Sequence, residues 1–274
     1  MSENAQAWPL VVDFMRRRCG LVLRGDQEYL LASRLQPVAR RLGYSSLLRF
    51  VAEATAPRAA NTQVVQLLVD AMTTHETSFF RDPVFWETFQ RTVVPELRKA
   101  VKARGSASVW SAACSTGQEP YTIAMMLEEL EPAIAAQVRI HATDVSSLAV
   151  DRARTGEYSV LETGRGLHAR RLVQHFEQDR AGFKVKARLR DRVSFAQHNL
   201  LGTAPAPARC DVALCRNVLI YFDAADRTTA IDRLYDAVLP QGFVGVGATE
   251  LLPGQALSPG WYPARGAVLV RRAQ

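Results

Sequence analysis

The 274-residue chain is expected to be of the α/β class, a mostly parallel sheet covered by helices, with a small β subdomain inserted in it and an all-α domain before it. Three observations predict this. From about residue 87 short apolar runs alternate with helix-period segments, the signature of a parallel sheet buried on both faces. Residues up to about 70 contain no convincing period-2 run. Residues 109–120, Val-Trp-Ser-Ala-Ala-Cys-Ser-Thr-Gly-Gln-Glu-Pro, read as a buried strand that enters a small-residue loop and opens a helix, the form of a cradle for a nucleotide-type cofactor.

In the N-terminal part, Leu31, Leu35, Val38 and Leu42 share one helical stripe, with Arg34 and Arg41 on its margin. Asp26 is expected to cap that helix and Gly43 to end it, and Ser45 to cap the next, which carries Leu47, Leu48 and Val51. A polar, alanine-rich break at 54–62 precedes a helix over 64–72. The division expected is a helical domain over 1–72, a linker over 73–86 that contributes to the active site, and a catalytic domain over 87–274. Strands are expected at 108–113, 138–143, 193–197, 210–215 and 243–248, with a last antiparallel piece at 267–271. Helices fall near 87–103, 120–135, 146–154 and 224–238, the second with Pro120 at its first position. Residues 156–192 are too long for an ordinary connection, so an inserted subdomain is expected there.

Apolar residues make up 48% of the chain and charged residues 22%, ordinary values for a globular protein. No apolar run approaches the ~20 residues that span a bilayer, and the first residues lack a secretory pattern, so a cytoplasmic location without membrane insertion is expected. Cys19, Cys114, Cys210 and Cys215 have no metal-ligand spacing and are expected to be free, packed thiols. The net charge of +7 calls for an anionic partner: nucleic acid, an acidic membrane or an acidic protein face. The basic residues cluster at Arg16, Arg17, Arg18, Arg24, Arg34, Arg40 and Arg41, and again over 165–192, which favours a docking surface.

The glycine pattern after the first strand is not Gly-x-Gly-x-x-Gly, which argues against a pyrophosphate and for a smaller cofactor such as S-adenosylmethionine. Asp144 ends the second strand, where a carboxylate can accept from ribose hydroxyls or cap the next helix. Asn199 follows the third strand and Arg216-Asn217 the fourth, with Tyr221 and Phe222 one turn on, so polar and aromatic groups gather at the ligand-binding edge. The segment 73–82 mixes hydroxyls, His75, Arg81 and two adjacent Phe between the two domains. No nucleophile or metal partner stands at a recognisable spacing from His75, so a hydrogen-bonding role is expected for it.

Taken together, Thr-x-x-Glu-Thr-x-Phe-Phe-Arg, Ser-x-x-Cys-Ser-x-Gly-x-Glu-x-Tyr, Ala-Thr-Asp, Asn-Leu and Cys-Arg-Asn-Val-x-Ile-Tyr-Phe, in this order, resemble the chemotaxis receptor methyltransferases of bacteria, the CheR family. The resemblance spans nearly the whole chain. It implies a Rossmann-like methyltransferase domain and a protein-glutamate O-methyltransferase that uses S-adenosylmethionine, without a metal, to esterify glutamates on the cytoplasmic helices of chemoreceptors. It further implies that His75, Thr77, Arg81, Glu119, Asp144, Asn199, Leu200, Arg216 and Asn217 line the cofactor site, joined by Ala113 and Gly117 from the loop after the first strand. Arg81 and Tyr221 would lie nearest the methyl transfer, the insert would help bind receptors, and the N-terminal helices would approach the methylation region.

Two departures stand out. Position 75 is more often Asn in the family. The turn between Phe176 and Phe183 is short beside members that grip a tethered receptor tail, so independence of a C-terminal tail peptide is expected. Two alternatives are an inactive receptor-docking module that still binds the cofactor and a nucleic-acid methyltransferase. Retention of Arg81, Tyr221 and the Asn residues opposes the first. The second lacks an Asn/Asp-Pro-Pro-Tyr/Phe segment after the fourth strand, where Arg216-Asn217-Val218-Leu219 stands instead.

Overall fold

The computed structural model describes residues 2–56, 62–179, 182–202, 209–247, 250, 261–263 and 269–272. The N-terminal part is helical: α1 (Glu3–Cys19), a π-helical turn (Leu31–Leu35) running into α2 (Gln36–Arg41), α3 (Leu47–Thr55) and α4 (Thr62–Met72). Ser2 caps α1 by accepting from the N–H of Ala5, and Gly20 ends it in the left-handed region at φ 72°. These helices enclose a core of their own around Val11, Met15, Leu31, Phe50 and Leu68.

Two expected caps move. Asp26 lies in a short 3₁₀ turn over Gly25–Gln27, and the π-helical turn after it, which starts at Leu31, has no side-chain cap. The cap of α3 is Ser46, extended and directly before the first helical residue, whose hydroxyl accepts from the N–H of Arg49, while the Ser45 hydroxyl accepts from the Arg49 guanidinium.

The larger part begins with α5 (Pro83–Arg104) and continues through β1 (Ala107–Ala112), α6 (Gln118–Leu130), β2 (Val138–Asp144) and α7 (Ser147–Thr155). The insert then follows as β3 (Glu157–Tyr158), α8 (Val160–Gly164), α9 (Ala169–His175), β4 (Phe176–Asp179), β5 (Gly182–Val185) and α10 (Ala187–Arg190). After it come β6 (Val193–Gln197), β7 (Cys210–Cys215), α11 (Ala224–Ala237), β8 (Val238–Val246), β9 (Trp261–Pro263) and β10 (Leu269–Arg272). Helix α6 starts at Gln118, so Pro120 is its third residue, and it stops at Leu130, short of the expected 135. Strand β8 begins earlier than expected, and Ala248 lies outside the described residues, as do 267 and 268 of the last expected strand.

The main sheet has the order β6-β2-β1-β7-β8-β10-β9, parallel from β6 to β8, with β10 and β9 added antiparallel. In β1, Val109 faces a core built with Phe89, Leu97 and Ile123, whereas Trp110 faces a second core with Leu234 and Val244. Alternate residues thus bury against α5 and α6 on one side and α11 on the other, as a doubly covered sheet requires. Strand order reverses between β1 and β7, and such a reversal leaves a crevice at the carboxyl ends of the strands. The insert is a small antiparallel sheet of order β3-β5-β4 with short helices.

The helical part docks on that carboxyl edge. Gln66 donates to the carbonyl of Val145, Ser147 donates to the buried Asp70, and Asn199 donates to the carbonyl of Arg18. Arg16 pairs with Asp223 at 2.9 Å, and the N–H of Val22 donates to the carbonyl of Tyr221. No described helix is long and apolar enough to cross a membrane. All four cysteines are free and buried.

Candidate functional site

The crevice is a cavity with about 1130 Å³ of empty space, part of it open to solvent. Its floor comes from the strand ends: Ala112 to Ser115 after β1, Thr143 to Val145 at β2, His198 to Leu200 after β6, and Arg216 to Val218 after β7. The linker from Thr73 to Ser78, with Arg81 and Trp86, forms one wall, and Cys19 and Leu21 of the helical part close another. Of the expected site residues, His75, Thr77, Arg81, Ala113, Glu119, Asp144, Asn199, Leu200, Arg216, Asn217 and Tyr221 all line this one cavity. Gly117 does not. A Cβ there would stand 2.9 Å from both Ala153 Cβ and the Tyr158 hydroxyl, so Gly117, at φ 96°, serves packing against α7 and the insert.

The turn after β1 is bent by left-handed Ala113 (φ 59°) and Ser115 (φ 52°), and it is latched to β2. The N–H of Cys114 donates to the carbonyl of Thr143, and the N–H of Ser115 donates to Asp144 Oδ2. Asp144 Oδ1 accepts from the N–H of Ser146, while the cap of α7 is Ser146 itself. Burial lifts the Asp144 carboxyl above its ordinary pKa, although the N–H groups of Ser146 and Ser115 pull it down. Each Asp144 oxygen accepts one backbone N–H, which leaves lone pairs for a ligand hydroxyl.

Arg216 is only 7% exposed and serves as a clamp. Its Nη1 donates to Glu119 Oε2 at 3.1 Å and its Nη2 to the Arg81 carbonyl at 2.8 Å, while the guanidinium lies 4.0 Å from the Phe85 ring centre. Glu119 also accepts from the Ser111 hydroxyl at 2.8 Å. One side chain thereby fixes the loop after β7 to α6, α5 and the linker. Arg81 donates to the carbonyl of Glu76 at 2.9 Å, and its neighbours Phe80 and Asp82 both have left-handed backbones at φ 50° and 66°.

His75 Nε2 lies 3.0 Å from Thr73 Oγ1, whose hydroxyl donates to the carbonyl of Asp70. The assignment that satisfies both contacts puts a proton on Nε2 and leaves Nδ1 an acceptor. Burial lowers the His75 pKa, against the pull of Asp144 and Asp70, which favours the neutral ring. Burial pushes the Cys19 thiol up to about 11 and Cys114 well above its ordinary value, so neither cavity thiol is a nucleophile at neutral pH. Among the described residues no cluster of His, Cys, Asp and Glu is arranged to hold a metal.

Three buried polar atoms on residues that line this cavity have no hydrogen-bond partner among the described residues: Trp86 Nε1, Ser115 Oγ and Arg216 Nε. Buried polar groups are almost always satisfied, so three orphans on one cavity point to a polar ligand. The acids Glu119 and Asp144 suit a cationic one, and the whole set fits S-adenosylmethionine, with its sulfonium, ribose and amino-acid end. Sequence reasoning missed Cys19, Leu21, Trp86, His198 and the buried acid Glu250. Only His198 carried a local signal, its place beside Asn199 at a strand end.

Comparison with known proteins agrees in extent and in kind. A family model described as the CheR methyltransferase, SAM binding domain, matches residues 75–260, and one described as the CheR methyltransferase, all-alpha domain, matches residues 6–73. Chemotaxis protein methyltransferase 1 of Pseudomonas aeruginosa is 39% identical over 246 residues, covering 87% of this chain and 88% of that one. Chemotaxis protein methyltransferase Cher2 of Pseudomonas putida is 37% identical over 247 residues, with 88% of each chain covered. The chemotaxis protein methyltransferase of Salmonella typhimurium is 29% identical over 245 residues, covering 88% of this chain and 82% of that one.

Proposed function

The chain belongs to the CheR family of S-adenosylmethionine-dependent chemotaxis methyltransferases, and from that premise we propose that it methylates glutamate side chains on the cytoplasmic helices of chemoreceptors, forming methyl esters. The observation that carries this reading is the joint presence of Arg81 and Tyr221 on a cavity whose two thiols are held protonated at neutral pH. An anionic acceptor that arrives from outside meets the Arg81 guanidinium. A glutamate has an ordinary pKa near ~4.3, so at neutral pH it arrives as a carboxylate and needs no general base.

In this reading Asp144 accepts from the ribose hydroxyls, Trp86, Ser115 and Arg216 give their unsatisfied atoms to the donor, and Glu119 favours its positive charge. A neutral His75 adds no competing charge beside it. The bound donor supplies an electrophilic methyl group. The chain's part is to strip water from the incoming carboxylate, hold it through Arg81 and Tyr221, and align it. The basic residues of the helical part draw acidic receptor helices toward the cleft by long-range attraction. The hairpin between β4 and β5 pairs out to Asp179 and Gly182, and a link this short supports independence of a receptor tail peptide.

The test is incubation with methyl-labelled S-adenosylmethionine and a receptor cytoplasmic fragment, with and without the receptor's C-terminal residues. Label released from the protein by mild alkali is expected in both cases. Alkali-stable label, or label on RNA or DNA instead, overturns the ester reading. Clear binding of a C-terminal receptor peptide to the enzyme overturns tail independence.

A further inference from the structure

Glu250 is completely buried and lies off the cavity, yet its carboxylate collects backbone donors from the loop that carries much of the site. Oε1 accepts from the N–H groups of Val218 and Leu219 at 2.6 and 2.8 Å, and Oε2 from those of Asn217 and Gly247. Three consecutive N–H groups converge on one carboxylate because Asn217 is left-handed at φ 60° and turns the chain around it. Gly247 is shaped to the same group: a Cβ there would stand 2.5 Å from Glu250 Oε2. Asn217, Val218 and Tyr221 of this loop line the cavity, and Arg216 begins it.

We propose that Glu250 is a positioning residue for methyl transfer: acting through the backbone of 217–219, it holds Asn217, Val218 and Tyr221 where the donor and acceptor meet them. The inference rests on reading the cavity as the donor site. A carboxylate is the group the position demands, since it accepts at both oxygens. A glutamine has one acceptor oxygen and turns amide protons toward two backbone N–H groups, so at least two of the four bonds are lost.

The experiment compares wild type, Glu250→Gln and Leu234→Ala by calorimetry with S-adenosylhomocysteine and by steady-state kinetics. Leu234 is a fully buried residue of α11 that shares an apolar core with Val218 and Leu219 but makes none of the Glu250 bonds, so its truncation lowers the melting temperature and leaves those four hydrogen bonds in place. E250Q is expected to weaken S-adenosylhomocysteine affinity and raise the donor KM by about tenfold, the scale of losing charge-assisted bonds, while L234A stays within about twofold of wild type in both. A change in E250Q smaller than about threefold beyond that of L234A overturns the proposal. If E250Q does not fold, Gly247→Ala, which presses a methyl group on the same carboxylate, is judged by the same threshold. Wild type that binds no S-adenosylhomocysteine would instead sink the donor-site reading on which the proposal rests.

Discussion

Replacing Arg216 by Met tests whether one buried cation organises the site. The substitution keeps most of the side-chain volume but removes the donors to Glu119 and to the Arg81 carbonyl, together with the cation held 4.0 Å from the Phe85 ring. Glu119, with a side chain only 13% exposed, is left with the Ser111 hydroxyl alone. Breaking a buried ion pair from one side costs about 3–5 kcal/mol, because the remaining charge stays desolvated. The retained Ser111 bond and the residual exposure of Glu119 place R216M at the lower end, about 3 kcal/mol. Urea unfolding measures this, provided the slope of free energy against denaturant is unchanged. Adding Glu119→Gln should return about 1 kcal/mol or more, since the stranded charge is then gone. A loss under about 1 kcal/mol, or a double variant less stable than R216M, would refute the clamp.

Three further outcomes follow from other parts of the structure. Arg81→Ala should cut methyl transfer at saturating donor by about a hundredfold while S-adenosylhomocysteine affinity falls less than about tenfold; equal losses in both would make Arg81 a binding residue only. Burial would raise the Glu129 carboxyl, but hydrogen bonds from His175 and Arg171 outweigh it and hold the pKa at about 2, down from 4.5. Its contribution is therefore fully present above about pH 4.5 and fades as pH falls toward 2, so the stability advantage of wild type over Glu129→Gln should shrink between pH 7 and pH 3; an advantage that stays constant contradicts this. Gly117→Ala, with a left-handed backbone and a Cβ 2.9 Å from two neighbours, should lower stability by about 2 kcal/mol yet leave S-adenosylhomocysteine affinity within about threefold, and a large affinity loss would return Gly117 to the donor site.

The sheet was legible because strands buried on both faces are mostly apolar: 212–215 is an apolar run, and it lies within the strand Cys210–Cys215. Asp144, Arg216 and Asn217 were legible for a related reason, since a polar residue directly after such a run falls at the carboxyl edge of the sheet. Helix starts were harder. Pro120 fits a first helical position, but left-handed Gly117 places the start two residues earlier, and Ser45 and Ser46 are the same residue type one position apart, of which only Ser46 directly precedes the helix. Cys19 and Leu21 reach the cavity through docking of the helical part, a long-range contact that leaves no local pattern. Glu250 was invisible because its partners are backbone N–H groups, which every sequence possesses.

The segment around Arg81 links the insert to the cavity through a chain of direct contacts. Left-handed Phe80 and Asp82 each cost about 1–3 kcal/mol, and such strain persists only where surroundings over-determine the backbone. Here the restraints come from three directions. The N–H of Phe80 donates to the Thr122 hydroxyl of α6, and Arg216 holds the Arg81 carbonyl from the loop after β7. The third direction is the insert: Arg171 of α9 sets its guanidinium 3.8 Å from the Phe80 ring centre while gripping Glu129, and Gly166 abuts the carbonyl of Phe79 so closely that no side chain fits there. Shifting α9 by even a fraction of a turn would remove the stacking that holds Phe80 and so free the strained backbone to relax. Arg81, placed between the two strained residues, would move with it. The direction in which Arg81 points is therefore set from outside the parallel sheet as much as from within it, and a partner seated on the insert would act on the same segment that walls the cavity.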